Sequence, residues 1–288
     1  MVENPAQNLR NILEDPGLLI MPCCFDALSA KLIEANDFAL TFMSGFGVSA
    51  SRLALPDTGL ISFGEMCDQG RNICGSVSIP VIGDADTGYG NALNVKRTVR
   101  EYARAGFAGI MLEDQISPKR CGHTRGKQVV DRREAVHRIR AAVDAREENA
   151  DLVIIARTDA RVTHDLDEAI ARAHAFADAG ADIIFVEAPQ SEKEMERIAR
   201  EITQNPMANM LEQGLTPILP PKRLEEMGFK IVAYPLTLLT AACNAMNLAL
   251  QHLEKGTHFS GLMPFEQLKD LIGFNDYYRD EEKYSDNI

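Results

Sequence analysis

Ala179-Gly180-Ala181-Asp182-Ile183-Ile184-Phe185-Val186-Glu187 is the stretch that decides the fold. A helical pattern ends at Gly180, a residue type that readily takes the left-handed conformation closing a helix. Four apolar residues follow without alternation, as in a strand covered on both faces. The run then stops at a carboxylate. The same order recurs in Ala105-Gly106-Phe107-Ala108-Gly109-Ile110-Met111-Leu112-Glu113. Repetition of a glycine, strand and carboxylate unit suits a barrel of like parts, whose chemistry gathers at the strands' C-terminal ends.

Working outward, similar short apolar runs lie at 18–21, 40–43, 81–83, 152–156, 207–210 and 231–233. Together with 109–112 and 183–186 they make eight. Amphipathic segments at 94–105, 132–146, 167–179 and 191–202 fall between them. The order predicts an α/β chain closed as a (β/α)8 barrel of the TIM type. The alternative is an open doubly wound sheet, but no Gly-x-Gly-x-x-Gly phosphate loop follows the first strand. The 288 residues suit one such domain spanning 1–288, since a single barrel takes about 250 residues. The helical stretch 236–254 and the polar tail 275–288 are extras beyond the barrel, the tail either mobile or packed on a partner subunit.

Net charge is -12, which sets the surface against nucleic acid and anionic lipid. No basic run, signal peptide or membrane-spanning apolar run is present. The six cysteines, at 23, 24, 67, 74, 121 and 243, have neither zinc-site nor disulfide-framework spacing, so a reduced, cytoplasmic protein is expected. An acidic protein that takes an acidic substrate needs a metal or a few placed cations.

The strand ends supply candidates: Ser44-Gly45, Asp84, Asp86, Glu113-Asp114, Arg157, Glu187, Asn209 and Tyr234. A purely structural barrel has no need of so many ionisable groups at one rim, and like charges there need a partner. Asp84, Asp86 and Glu113 are hard oxygen donors, which favours Mg²⁺ or Mn²⁺. Taken alone, Asp84 and Asp86 read equally well as turn residues before Gly88 and Gly90. After the fourth strand comes Ser117-Pro118-Lys119-Arg120-Cys121-Gly122-His123-Thr124-Arg125-Gly126-Lys127. Such a cationic loop is suited to closing over an anion. Cys121 between Lys119, Arg120 and His123 gains thiolate character from those neighbours.

Asp84-Ala85-Asp86-Thr87-Gly88-Tyr89-Gly90, Glu113-Asp114-Gln115, Lys119-Arg120-Cys121-Gly122-His123 and Ala156-Arg157-Thr158-Asp159 together resemble the isocitrate lyase/phosphoenolpyruvate mutase superfamily. The resemblance covers nearly the whole chain and is nearest the group of 2,3-dimethylmalate lyase, oxaloacetate acetylhydrolase and petal death protein. It implies a carbon–carbon lyase for small 2-hydroxy dicarboxylates. Methylisocitrate lyase and phosphonopyruvate mutase or hydrolase are the alternatives. The resemblance implies metal-site carboxylates at Asp84, Asp86 and Glu113, some acting through water, with Asp57 nearby. It implies substrate contacts at Ser44, Gly45, Phe46, Gly122, Arg157, Asn209 and Thr240. Catalytic roles fall on Cys121, Lys119, His123, Glu187 and Arg157. It further implies an eighth helix swapped between subunits, so that residues from about 236 to 288 pack on a partner in a homotetramer. Methylisocitrate lyases of this group carry Tyr and Arg where this chain has Phe42 and Thr240. That argues against a tricarboxylate, and the Leu238-Leu239 pair suits an alkyl group instead.

Overall fold

The computed structural model describes residues 4–120 and 126–285. Eight parallel strands close on themselves in chain order. They are β1 (Leu19–Cys24), β2 (Thr41–Met43), β3 (Val81–Asp84), β4 (Gly109–Glu113), β5 (Val153–Thr158), β6 (Ile183–Val186), β7 (Pro206–Asn209) and β8 (Ile231–Tyr234). The last strand returns to the first with Leu19 beside Ile231 and Pro22 beside Tyr234. All eight predicted runs are strands. β1 runs past the predicted end at Met21. Pro22 lacks an N–H, yet its carbonyl still accepts Thr41 Oγ1 at 2.9 Å.

The helices are α1 (Pro5–Glu14), α2 (Ala27–Glu34), α3 (Gly45–Val48), α4 (Phe63–Cys74), α5 (Ala92–Ala105), α6 (Arg132–Glu147) and α7 (Ala160–Thr163). There follow α8 (Leu166–Asp178), α9 (Glu192–Glu201), α10 (Pro221–Met227), α11 (Thr237–Glu254), α12 (Phe265–Leu271) and α13 (Phe274–Ser285). Their starts are written in the sequence: Asn91, Asp131, Asp165 and Ser191 each accept a backbone N–H from the first turn of the helix they precede, the usual N-cap device. Gly106, at φ 96°, closes α5 in the left-handed conformation.

Two apolar layers result. The barrel interior holds Met21, Leu40, Ile82, Ile155 and Ile183, with Leu9 of α1 packed against it. The outer layer packs the helices onto the strands. Gly83 and Gly70 leave room there for Phe107 and Tyr102, because a Cβ on Gly83 would stand 2.7 Å from Tyr102 Cε1 and one on Gly70 2.3 Å from Phe107 Cζ.

The eighth barrel helix behaves differently. No residue of α11 is buried, nor of α12 or α13. Met246, Leu250 and Leu253 are 59–73% exposed. Outside β1 and β8 an apolar groove runs between Ile20, Pro22, Phe38, Tyr234 and Leu238.

Candidate active site

The strand ends surround a cleft of about 600 Å³ that opens to solvent. Ser44, Phe46, Asp57, Asp84, Lys119, Arg157, Glu187 and Asn209 all line it, as does Arg120. Most of the residues singled out from the sequence are therefore brought together.

One wall begins where β2 passes into α3. Ser44 caps that helix by accepting Gly47 N–H at 3.1 Å. Gly45 N–H donates to Asp84 Oδ2 at 3.2 Å. A Cβ on Gly45 would come within 2.6 Å of the same oxygen, so only glycine allows this approach. Asp84 Oδ1 accepts Asp86 N–H at 3.0 Å, and Asp86 takes the left-handed backbone at φ 50°. Asp86 thus sits in a turn, and Asp84 ends β3 and lines the cleft. Beneath them Tyr102 OH donates to the Asp84 carbonyl at 2.7 Å.

Lys119 is buried among carboxylates. Its Nζ lies 2.5 Å from Asp57 Oδ1 and 2.9 Å from Asp86 Oδ1. Burial opposes the ammonium, but Asp86, Asp57, Asp84 and Glu113 outweigh it and hold the group protonated well above the ordinary lysine range. Burial pushes Asp86 up to about 6 even with Lys119 beside it. It also holds the Glu113 carboxyl well above the usual range, against the pull of Arg157.

Arg157 stands among three carboxylates. Its Nε and Nη2 donate to Asp159 Oδ2 and Oδ1 at 2.9 and 3.1 Å. Its Nε is 3.3 Å from Glu113 Oε2, and its Nη1 is 3.4 Å from Glu187 Oε2. Asn209 Nδ2 reaches Glu187 Oε2 at 3.5 Å.

Among the described residues no three carboxylate, histidine or cysteine side chains converge on a single metal position. Mg²⁺ does not need three: it keeps several waters and takes one or two carboxylates directly. The donors here fit that pattern. They are oxygens throughout, and Glu113 Oε1 is buried without a hydrogen-bond partner among the described residues, a group that calls for a cation or an ordered water.

The cleft floor went unread in the sequence apart from Phe42. Cys23, Phe42, Met111, Phe185 and Met207 form it, with Leu211, Pro235 and Leu236 at one side. Cys23, Met111, Phe185 and Met207 are inward positions on their strands. The usable signal was strand alternation near the C-terminal ends, which a continuous apolar run conceals. Burial first, then Cys24 and Asp84, holds the Cys23 thiol well above its ordinary pKa.

Two expectations need correction. Thr240 does not line the cleft; it is exposed on α11, its hydroxyl donating back to the Leu236 carbonyl at 2.9 Å. Leu238 faces the groove outside the barrel rather than the cleft. The residues from this region that line the cleft are Pro235 and Leu236, just before α11. Cys121, Gly122 and His123 lie outside the described residues.

Comparison with known proteins agrees with this geometry. The model of the family described as phosphoenolpyruvate phosphomutase matches residues 9–254. The chain is 43% identical to 2,3-dimethylmalate lyase of Eubacterium barkeri, over 98% of this chain and 99% of that protein. It is 40% identical to 2-methylisocitrate lyase of Aeropyrum pernix, over 99% of this chain and 92% of the other. Among solved structures, oxaloacetate acetylhydrolase in complex with 3,3-difluorooxalacetate superposes with a TM-score of 0.93 at 35% identity, covering 98% of this chain and 97% of that one. Phosphonopyruvate hydrolase in complex with oxalate and Mg²⁺ superposes at 0.86 with 28% identity, covering 98% and 99%.

Proposed function

Because the chain belongs to the phosphoenolpyruvate phosphomutase family, within the isocitrate lyase superfamily of enzymes, we propose that it is a Mg²⁺-dependent carbon–carbon lyase for 2-alkyl or 2,3-dialkylmalates. The observation that carries this reading is the mixed lining of the cleft. Arg157, Lys119, Asp84, Glu187 and Asn209 line the cleft together with the apolar Phe42, Met111, Phe185, Met207 and Leu236. A small acid with two carboxylates and alkyl substituents matches both kinds of lining. Oxaloacetate, cleaved as its hydrate to oxalate and acetate, is a second substrate for the same arrangement. The similarity to oxaloacetate acetylhydrolase supports including it.

Asp84 would hold the metal, with Asp86 and Glu113 engaged directly or through water. When bound, Mg²⁺ supplies a Lewis acid that lowers the pKa of the substrate hydroxyl. The chain's own residues do the rest. Backbone N–H groups and the hydroxyl at Ser44, Gly45 and Phe46 hold one carboxylate. Arg157 and Asn209 hold the other. Lys119 neutralises Asp57 and Asp86, so that a dianion can approach an acidic rim. The hydroxyl proton would pass to water in the open cleft, and the electron pair left on the oxygen would form the C2 carbonyl as the adjoining carbon–carbon bond breaks. The C2–C3 bond breaks, and its electron pair passes to C3 and into the adjoining carboxylate. Cys121 gives that carbon its proton, leaving a 2-oxo acid and a saturated carboxylic acid. Gly122 and His123 adjoin the donor, and Glu187 is the carboxylate that would orient His123.

A panel of dialkylmalates, oxaloacetate, methylisocitrate and phosphonopyruvate, assayed with Mg²⁺ and with chelator, tests this. Cleavage of an alkylmalate or oxaloacetate is expected, lost in chelator and restored by Mg²⁺ or Mn²⁺. A higher kcat/KM for methylisocitrate, or full activity in chelator, would sink the reading. The bare apolar face of α11 and the groove beside β1 and β8 support exchange of the eighth helix between subunits in a tetramer. A monomer by sedimentation at micromolar concentration would exclude that exchange. No helix among the described residues is long and apolar enough to cross a membrane, and the net charge of -12 supports a small-molecule enzyme of the cytoplasm.

A further inference from the structure

We infer that Lys127, which does not line the cleft, balances charge behind Arg157 and so keeps that guanidinium positioned and available for a substrate carboxylate. The inference rests on the dicarboxylate reading given above.

The Lys127 ammonium lies 2.6 Å from Asp159 Oδ1, and the two side chains are 1% and 0% exposed. Asp159 is the residue that grips Arg157, by Nε at 2.9 Å and Nη2 at 3.1 Å. Two parallel hydrogen bonds to one carboxylate fix the plane of a guanidinium as well as its place. Asp159 is itself immobilised. Its N–H donates to Asp114 Oδ1 at 2.9 Å. Asp114 Oδ2 in turn accepts Thr158 Oγ1 at 2.7 Å and Arg172 Nη1 at 3.0 Å.

Charge is the second half of the argument. Arg157 faces Asp159, Glu113 and Glu187. One cation shared among three carboxylates has little attraction left for a fourth that arrives with a substrate. Lys127 brings a second positive charge to this group from behind. Burial opposes the Asp159 charge, yet Arg157 and Lys127 together hold its carboxyl below the ordinary range. With Asp159 already paired, Arg157 keeps its cationic character towards the cleft. A pair that served only the fold would raise stability without touching anion affinity.

The test compares wild type, Lys127→Gln, Lys127→Arg and the double variant Lys127→Gln/Asp159→Asn, all as full chains with Mg²⁺. Calorimetry measures oxalate binding; steady-state kinetics gives KM and kcat for the best substrate of the panel. Lys127→Gln is expected to weaken oxalate and raise KM by about tenfold or more, the result of leaving a buried carboxylate with one cation too few. kcat is expected to change less, and Lys127→Arg to recover most of the loss. The double variant removes the charges as a pair, so it should bind oxalate more tightly than Lys127→Gln. If Lys127→Gln does not fold, the double variant decides, with a loss under about tenfold expected. A smaller effect in Lys127→Gln, no recovery in Lys127→Arg, or a double variant as poor as the single overturns the inference. Wild type that binds no oxalate removes the dicarboxylate reading and this inference with it, an outcome distinct from wild type and Lys127→Gln binding equally.

Discussion

Glu113 faces Arg157 across 3.3 Å with one carboxylate oxygen, while its other oxygen is buried without a hydrogen-bond partner among the described residues. Burial holds its carboxyl well above the usual range. A charge kept in this state destabilises a fold, and in the proposed site the metal offsets that cost. Glu113→Gln keeps the shape and removes the charge. Its thermal midpoint is expected to equal or exceed that of wild type. Its turnover is expected to fall about a hundredfold or more, the range typical of losing one group acting on a developing charge. Unfolding scans alongside kinetics decide, and unchanged turnover would remove Glu113 from the site.

Gly45 provides a sharper probe of Asp84. A Cβ there would press on Asp84 Oδ2 at 2.6 Å, with Asp84 Cγ next at 3.1 Å. Gly45→Ala is therefore expected to displace the carboxylate that leaves β3 and to weaken Mn²⁺ binding, read by calorimetry, by about tenfold. Stability should fall by about 1–3 kcal/mol, the usual range for a forced contact. Mn²⁺ affinity equal to wild type would mean that Asp84 does not hold the metal.

In the proposed reaction Cys121 would act after bond cleavage and would bind neither carboxylate. Cys121→Ser keeps the size but raises the donor pKa far beyond that of a thiol. Turnover on the lyase substrate is expected to drop by about a hundredfold or more, with KM changed much less. Saturating oxalate should also slow alkylation of Cys121. A variant with wild-type turnover would falsify the proton-donor assignment and move the chemistry towards a mutase.

The barrel was legible because β2 to β6 are buried on both faces and several helices between strands are opened or closed by turn chemistry that the sequence spells out. Gly106 and Gly180 are both left-handed, at φ 96° and 100°, where the repeat placed them. The rim carboxylates were legible because charge at the end of an apolar run has few structural uses. Other features required coordinates. Pro22 concealed the last residues of β1, and with them Cys23, since proline reads as a breaker. Thr240 was placed by resemblance alone, and in this structure it is exposed on α11. Lys127 and Asp159 were invisible as a pair because 32 residues separate them, and nothing local marks an ion pair made by topology.

The floor beneath the charged rim is built from a thiol, two thioethers and two phenyl rings: Cys23, Met111, Met207, Phe42 and Phe185. Thioethers are unbranched and polarizable, and they fill irregular space without imposing one shape. Such a floor is a mould that can be recut. If the proposed alkylmalate is the substrate, one substitution there is expected to change the alkyl group admitted while the rim stays in place. Proteins that share this barrel and differ in the acids they are named for would then diverge by small changes at its base, and a library confined to Cys23, Met111 and Met207 is the shortest route from one substrate to the next.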